Sequence, residues 1–228
     1  MTTLAPSPDP ADRERTPARP EPGPRTGLLR LLRLHLASRR VPAAMATLAV
    51  IAPLMQWAVR ATVSQGDTPG AKTAAVQISL LLETVAAAVV SAAMHGSFGE
   101  SERATGRRLS YLRGATALLL TGGALAALGL GALGTGLPSG ESALLRDAAG
   151  FIGIGLIGAA VVGGHFAWTG PAAYFVIAAY AVSDRWTTPW VWPARPAGDT
   201  GAMLCAMGLL FAAALAIIMV GPRDRARD

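Results

Sequence analysis

Charged residues are scarce over most of this 228-residue chain. Residues 1–40 hold 12 of the 34 charged residues, which leaves 22 for the other 188 positions. Apolar residues make up 52% of the sequence, and its mean hydropathy is +0.41. So low a charge density beyond the N-terminal segment argues against a soluble enzyme and is typical of a membrane protein.

Cysteine and lysine each occur once, as Cys205 and Lys72. A single cysteine excludes an internal disulfide and a thiolate metal cluster. The other 19 basic residues are arginines, most of them next to apolar runs, which indicates membrane topology rather than a nucleic-acid surface. The preference for arginine and the abundance of alanine also favour a bacterial plasma membrane.

Sequence patterns for catalysis are missing as well. The three histidines are far apart, and none forms the paired-histidine helical motif of a zinc protease. Residues 66–73 resemble a phosphate-binding loop, but Ala71 stands where that loop needs glycine, and no strand precedes it. We therefore predict no catalytic residue, no bound metal or cofactor, and no enzymatic activity in this chain.

Long runs without charge are what the sequence has instead. They cover 41–59, 114–140, 148–183 and 200–222, and Glu83 alone interrupts 73–99. A helix needs about 20 apolar residues to cross a bilayer core, so each run is long enough. The run 148–183 would make a helix about 54 Å long, so it must turn, either at Gly163-Gly164-His165 or at Gly170-Pro171.

The sequence thus predicts an all-α membrane protein with six spans. Residues 1–26 form a Pro-rich disordered cytoplasmic tail, and the Leu- and Arg-rich residues 27–40 form an amphipathic helix in the membrane interface. A six-helix domain follows over 41–221, with a short tail at 222–228. We expect the spans near 41–59, 73–94, 114–137, 143–164, 167–183 and 200–221.

Arginine and lysine also predict the orientation of the chain. With alternate crossings, 15 basic residues fall on the side of the two termini and the 95–113 loop. Five fall in the loops of the other side: Arg60, Lys72, Arg146, Arg185 and Arg195. Because cytoplasmic loops carry the excess of basic residues, both termini are expected in the cytoplasm. We found no cleavable signal in residues 1–25, so the first span is expected to direct insertion.

Polar residues within the predicted spans are candidates for function. Glu83 is the acidic residue deep in a span, with Gln77 on the same helix and Gln56 on the helix before. A residue of this kind is costly in the membrane and should face a partner, a cavity or water. Two interpretations stay open: a protonated or hydrogen-bonded group within the bundle, or part of a substrate path or proton-linked site.

Small residues and tryptophans mark two further surfaces. Small residues recur every four positions in the third and fourth spans, which favours close packing within the chain over a dimer seam: Gly123, Ala127, Gly131, Gly155, Ala159 and Gly163. The loop between the last two spans holds three of the five tryptophans, Trp186, Trp190 and Trp192. We expect them to anchor the loop at the membrane interface, with a substrate or partner contact as the alternative.

The loop at 95–113 joins spans two and three and has charges of alternating sign. Its apolar residues, including Phe98 and Leu109, allow a short helix lying on the membrane surface. An ordinary solvated loop on the cytoplasmic side would have the same charges.

These features together resemble the membrane subunit of an ATP-binding-cassette transporter of the ABC-2 export type. Members have an amphipathic helix before the first span, six spans, cytoplasmic termini, and an acidic and basic loop after span two. Residues 98–106 are similar to the Arg/Glu-rich stretch of that family, which ends in a Gly-Thr-Leu-Glu type sequence. The family's extracellular element between spans five and six corresponds to residues 184–199.

The resemblance implies a permease that exports an unidentified substrate and is driven by a separate ATPase subunit, which binds the ATP. It implies an ATPase-docking loop made of Phe98, Gly99, Glu100, Glu102, Arg103, Arg107 and Arg108. The expected partners are that ATPase, membrane lipid, and a second permease in a homodimer or heterodimer, with no nucleic acid. The alternatives are a substrate-binding membrane subunit of an uptake system, or a non-transporting membrane scaffold or immunity protein.

Overall fold

The computed structural model describes residues 41–64, 68–94 and 108–219. This part of the chain is all-helical and contains no strand, which confirms the all-α part of the prediction. Six α-helices follow one another: α1 (Val41–Val63), α2 (Pro69–Ala93), α3 (Arg108–Ala132), α4 (Glu141–Val161), α5 (Thr169–Asp184) and α6 (Thr200–Met219). The N-terminal tail, the 27–40 helix, docking-loop residues 98–107 and the tail at 222–228 lie outside the described residues.

Five of these helices, all except α5, are long and apolar enough to cross a membrane. Each corresponds to one of the predicted runs, because a long stretch without charge is a local property of the sequence. The helix α5 has 16 residues, which gives a length of about 24 Å at ~1.5 Å per residue. The chain is therefore a membrane-embedded helical protein.

The long uncharged run 148–183 turns at Gly163, the first of the two predicted positions. The helix α4 ends at Val161 and α5 begins at Thr169. Gly163 has φ 101°, a left-handed conformation that a residue with a side chain rarely adopts. The alternative position, Gly170-Pro171, lies in the first turn of α5, where proline is compatible with a helix.

The helix α4 lies at the centre of the bundle. It packs against α2, α3, α5 and α6. In its most apolar 18-residue stretch, 72% is buried inside the protein, against 28% in the corresponding stretch of α1 and 22% in that of α6. The outer helices expose large apolar side chains, such as Trp57 on α1 and Leu204 on α6. Such surfaces suit contact with lipid or with another membrane subunit.

Glycines let the helices approach closely at three of the predicted small-residue positions. A methyl group at Gly131 on α3 would lie 2.6 Å from the Ala52 carbonyl oxygen on α1. One at Gly123 would lie 2.8 Å from the methyl carbon of Met45, and one at Gly155 on α4 would collide with Ser91 on α2. The prediction that these glycines serve packing within the chain is confirmed at these positions.

A buried charged cluster and the segment it holds

Two charged residues are buried near the beginning of α4. Arg146 is 1% exposed and Asp147 is 4% exposed, and the Arg146 Nε donates a hydrogen bond of 2.8 Å to Asp147 Oδ1. Burial of an ion pair is costly unless further hydrogen bonds satisfy the charged groups. The guanidinium must therefore find other acceptors.

The acceptors come from the connection between α5 and α6, residues 185–199, which we call the α5–α6 segment. The two Nη atoms of Arg146 donate to the Trp192 carbonyl at 2.7 Å, the Pro196 carbonyl at 2.8 Å and the Arg195 carbonyl at 3.2 Å. With the bond to Asp147, these use four of the five N–H groups of the guanidinium. One side chain of α4 thus holds a backbone segment about 50 residues away.

Trp192 packs the same segment into the bundle. It begins a short 3₁₀ helix, Trp192–Ala194, and its ring lies against Gly150, where any side chain would collide with it. The ring stacks on Tyr174 of α5 with centroids 4.6 Å apart. The Tyr174 hydroxyl in turn donates a 2.8 Å hydrogen bond to the Trp190 carbonyl.

Hydrogen bonds at the protein surface hold the C-terminal end of the α5–α6 segment. Asp199 Oδ1 accepts a 2.9 Å hydrogen bond from the Ala202 backbone N–H in the first turn of α6. Its other carboxylate oxygen accepts a 2.7 Å hydrogen bond from the Arg195 Nε. The Ala202 N–H, and then Arg195, lower the pKa of Asp199 below its ordinary value.

Glu83 lies on α2, which packs against α4, and it is within electrostatic range of the Arg146–Asp147 pair. It is at the middle of α2 and is 1% exposed, and its Oε2 has no hydrogen-bond partner among the described residues. Asp147 and Arg146 both act on it electrostatically. The structure therefore assembles Glu83, Arg146 and Asp147 into one buried charged cluster between α2 and α4.

The other two candidate path residues have different surroundings. The Gln77 side-chain amide donates a 3.2 Å hydrogen bond to the Ser183 hydroxyl on α5. Gln56 lines an open groove of about 470 Å³ on α1, together with Trp57 and Arg60. The described contacts thus place Glu83, Gln77 and Gln56 in three separate environments.

The three tryptophans of the α5–α6 segment also differ. Trp186 is 36% exposed and Trp190 is 49% exposed, whereas Trp192 is 4% exposed. Trp186 and Trp190 contact each other with ring centroids 6.3 Å apart. These two keep the exposure that an interface anchor needs, while Trp192 is a packing residue inside the protein.

Arg146, Asp147 and Trp192 are the residues whose role the sequence analysis missed. Arg146 was counted as a basic residue of an outer loop, and Asp147 was not singled out. The available signal was their position: both lie more than one turn inside a helix that is otherwise apolar, where a charge needs a partner. The predicted ATPase-docking loop lies outside the described residues, apart from the Arg108 backbone at the start of α3.

An open apolar groove of about 500 Å³ lies between α3 and α6. Leu118, Thr121 and Phe211 are among its lining residues. Within the described ranges, no group of three or more His, Cys, Asp or Glu residues is placed to hold a metal ion.

Comparison with known proteins found no family model, no curated protein and no solved structure that matches this chain.

Proposed function

We propose that this chain is the permease subunit of an ATP-binding-cassette transporter of the ABC-2 export type. In this proposal all six helices cross a bacterial plasma membrane, residues 27–40 lie in its inner interface, and both termini are cytoplasmic. The helix α5 also crosses the membrane, in addition to the five longer helices. Local thinning of the bilayer accommodates its short length. A separate ATPase subunit binds and hydrolyses ATP.

The position of the charged loop carries this proposal. Gln77, near the beginning of α2, donates a hydrogen bond to Ser183 near the end of α5, so the end of α2 at Ala93 and the α5–α6 segment lie at opposite ends of the bundle. In this proposal the Arg/Glu-rich stretch that resembles a docking loop connects α2 to α3 at the first of these ends. The other end has a packed connection at the place of the family's extracellular element.

The helices next to the loop suggest how the movement of an ATPase would be transmitted. The 94–107 loop is continuous with α2 and α3, and α2 packs against α1, α3, α4 and α5. A displacement of the docked loop would therefore reach most of the bundle through α2. Nucleotide-driven closure of the ATPase would change which side of the substrate path is open.

A second permease completes the path in this proposal. The apolar outer faces of α1 and α6, with the groove between α3 and α6, are available for contact with lipid or with that second subunit. The path would form between the two permeases, which suits a substrate with a large apolar portion.

Copurification with charge-reversed loops tests the proposal. The tagged protein is isolated in mild detergent as the wild type and as the triple variant E100K/E102K/R103E. The control, E141K/D184K/R185E, makes the same charge changes at three exposed residues at the opposite end of the bundle: the first residue of α4, the last residue of α5 and the residue after it. Mass spectrometry then quantifies any ATPase subunit that is recovered with each form.

We expect the wild type and the control to recover an ATP-binding-cassette ATPase, and the loop variant to lose it while it remains folded and inserted. Recovery of all three forms without an ATPase would contradict the proposal and favour a scaffold or immunity protein. An ATPase that is retained by the loop variant would refute the docking role of residues 98–108.

A further inference from the structure

The carboxyl group of Glu83 has an unsatisfied oxygen in the middle of a membrane helix. Glu83 is buried, and Oε2 has no hydrogen-bond partner in the described part of the chain. An ionised carboxylate is an acceptor only, and leaving one of its oxygens unpaired in an apolar interior is costly. An ionised Glu83 would therefore need a positively charged partner at Oε2, and the described side chains do not supply one.

The charges around Glu83 show how much positive charge the cluster lacks when Glu83 is ionised. The helix α2 packs against α1, α3, α4 and α5, and the described charged groups that act on Glu83 are Arg146 and Asp147, both on α4. Arg146 is already paired with Asp147. With Glu83 ionised, the three groups together have one uncompensated negative charge, and one added positive charge makes the cluster neutral.

A proton fits this site better than a metal ion. Metal cations such as Ca²⁺ and Mg²⁺ take six or more oxygen ligands. One orphaned carboxylate oxygen is too small a ligand set, and no metal-binding group of acidic residues or histidines occurs within the described ranges. A proton needs a single oxygen.

We propose that Glu83 is a proton-binding site whose occupancy controls how firmly Arg146 holds the α5–α6 segment. The proton adds to Oε2, which gives a neutral carboxylic acid and breaks no bond of the protein. When the proton leaves, Glu83 becomes a second anion that attracts Arg146. The guanidinium is then drawn away from the carbonyls of Trp192, Arg195 and Pro196, and the segment loosens.

The geometry makes the α5–α6 segment a sensitive reporter of this change. Three backbone carbonyls within five residues depend on one guanidinium. The segment connects α5 to α6, so its loosening would free both helices at that end of the bundle. The coupling of Glu83 to the α5–α6 segment does not depend on an ATPase partner.

Infrared difference spectroscopy of the full chain in lipid tests the proton. We expect a carboxylic-acid C=O band that appears as the pH is lowered and that is lost in E83Q. The matched control is E141Q, an exposed glutamate in the first turn of α4, which should keep the band. A spectrum in which E83Q retains the full band would overturn the proposal.

Hydrogen exchange of residues 190–199 tests the coupling to the segment. After correction for intrinsic exchange, the wild type should exchange more slowly at low pH, and E83Q should stay in the protected state at every pH. Identical exchange in the wild type and E83Q across the pH range would refute the coupling, even if Glu83 binds a proton.

D147N provides a second variant if E83Q does not fold. It removes the neighbouring negative charge and leaves Arg146 available to Glu83. The carboxylic-acid band that remains in D147N should therefore appear at a lower pH than the band of the wild type. A remaining band that appears at the same pH as in the wild type would contradict the proposed charge balance.

Discussion

Replacement of Arg146 by methionine should be among the most destabilising single changes in the described part of the chain. The substitution keeps an unbranched apolar side chain but removes the guanidinium. Asp147 then remains buried without its partner, at a cost of about 3–5 kcal/mol. The Trp192 carbonyl, whose bond to Arg146 is buried, also loses its donor, at a cost of about 1–3 kcal/mol.

The loss in the free energy of unfolding is therefore expected at about 4–8 kcal/mol. It can be measured by SDS titration of the protein in mixed lipid–detergent micelles, followed by circular dichroism. The matched control is Arg195→Met in the same segment. Arg195 is 26% exposed and pairs with Asp199 at the surface, where an ion pair adds little stability.

A double variant separates the two contributions. Arg146→Met combined with Asp147→Leu removes both charges, and replacement of a buried ion pair by apolar groups is often nearly neutral. The double variant should therefore be more stable than Arg146→Met alone. An Arg146→Met protein no less stable than Arg195→Met would refute the view that Arg146 holds the segment.

Three further predictions concern packing and capping. Gly131→Ala should destabilise the protein by about 1–3 kcal/mol in the same SDS assay, since its methyl group would overlap the α1 backbone. The control is Gly122→Ala on the same helix. Its methyl group meets open space, so this change should stabilise the protein by about 0.8–1.0 kcal/mol. Trp192→Ala should cost about 3–5 kcal/mol because it empties a buried site between α4 and α5, and a loss within the error of the assay would contradict that packing. The pKa of Asp199 is lowered by the Ala202 N–H, so its stabilising contribution is complete above its ordinary value of 3.8 and is lost as the pH falls through the lowered folded value. Asp199→Asn should remove this acid dependence from the unfolding curve, and an unchanged dependence would count against the cap.

The helices could be predicted from the sequence because hydropathy is local. The uncharged runs predicted all six helical segments to within six residues at either end, and Gly163 marked the turn between α4 and α5. The packing glycines were also visible, since a four-residue spacing places them on one face of a helix.

The buried cluster could not be predicted in the same way because its partners are distant in sequence. Arg146 and Trp192 are 46 residues apart, and nothing in either local pattern indicates that they meet. Counting Arg146 as an outer-loop base followed from its position beside an apolar run. The sequence predicted that Glu83 faces a partner, a cavity or water, and no local pattern indicated that Arg146 and Asp147 are within its electrostatic range.

The most direct test of the permease proposal is the ATP hydrolysis rate of the purified protein in lipid nanodiscs. The chain is isolated from its native membrane as the wild type, as E100K/E102K/R103E and as the E141K/D184K/R185E control. The account predicts hydrolysis in the wild type and the control, and its loss in the loop variant, although all three insert and fold. Wild-type preparations that contain the intact chain and hydrolyse no ATP would contradict it.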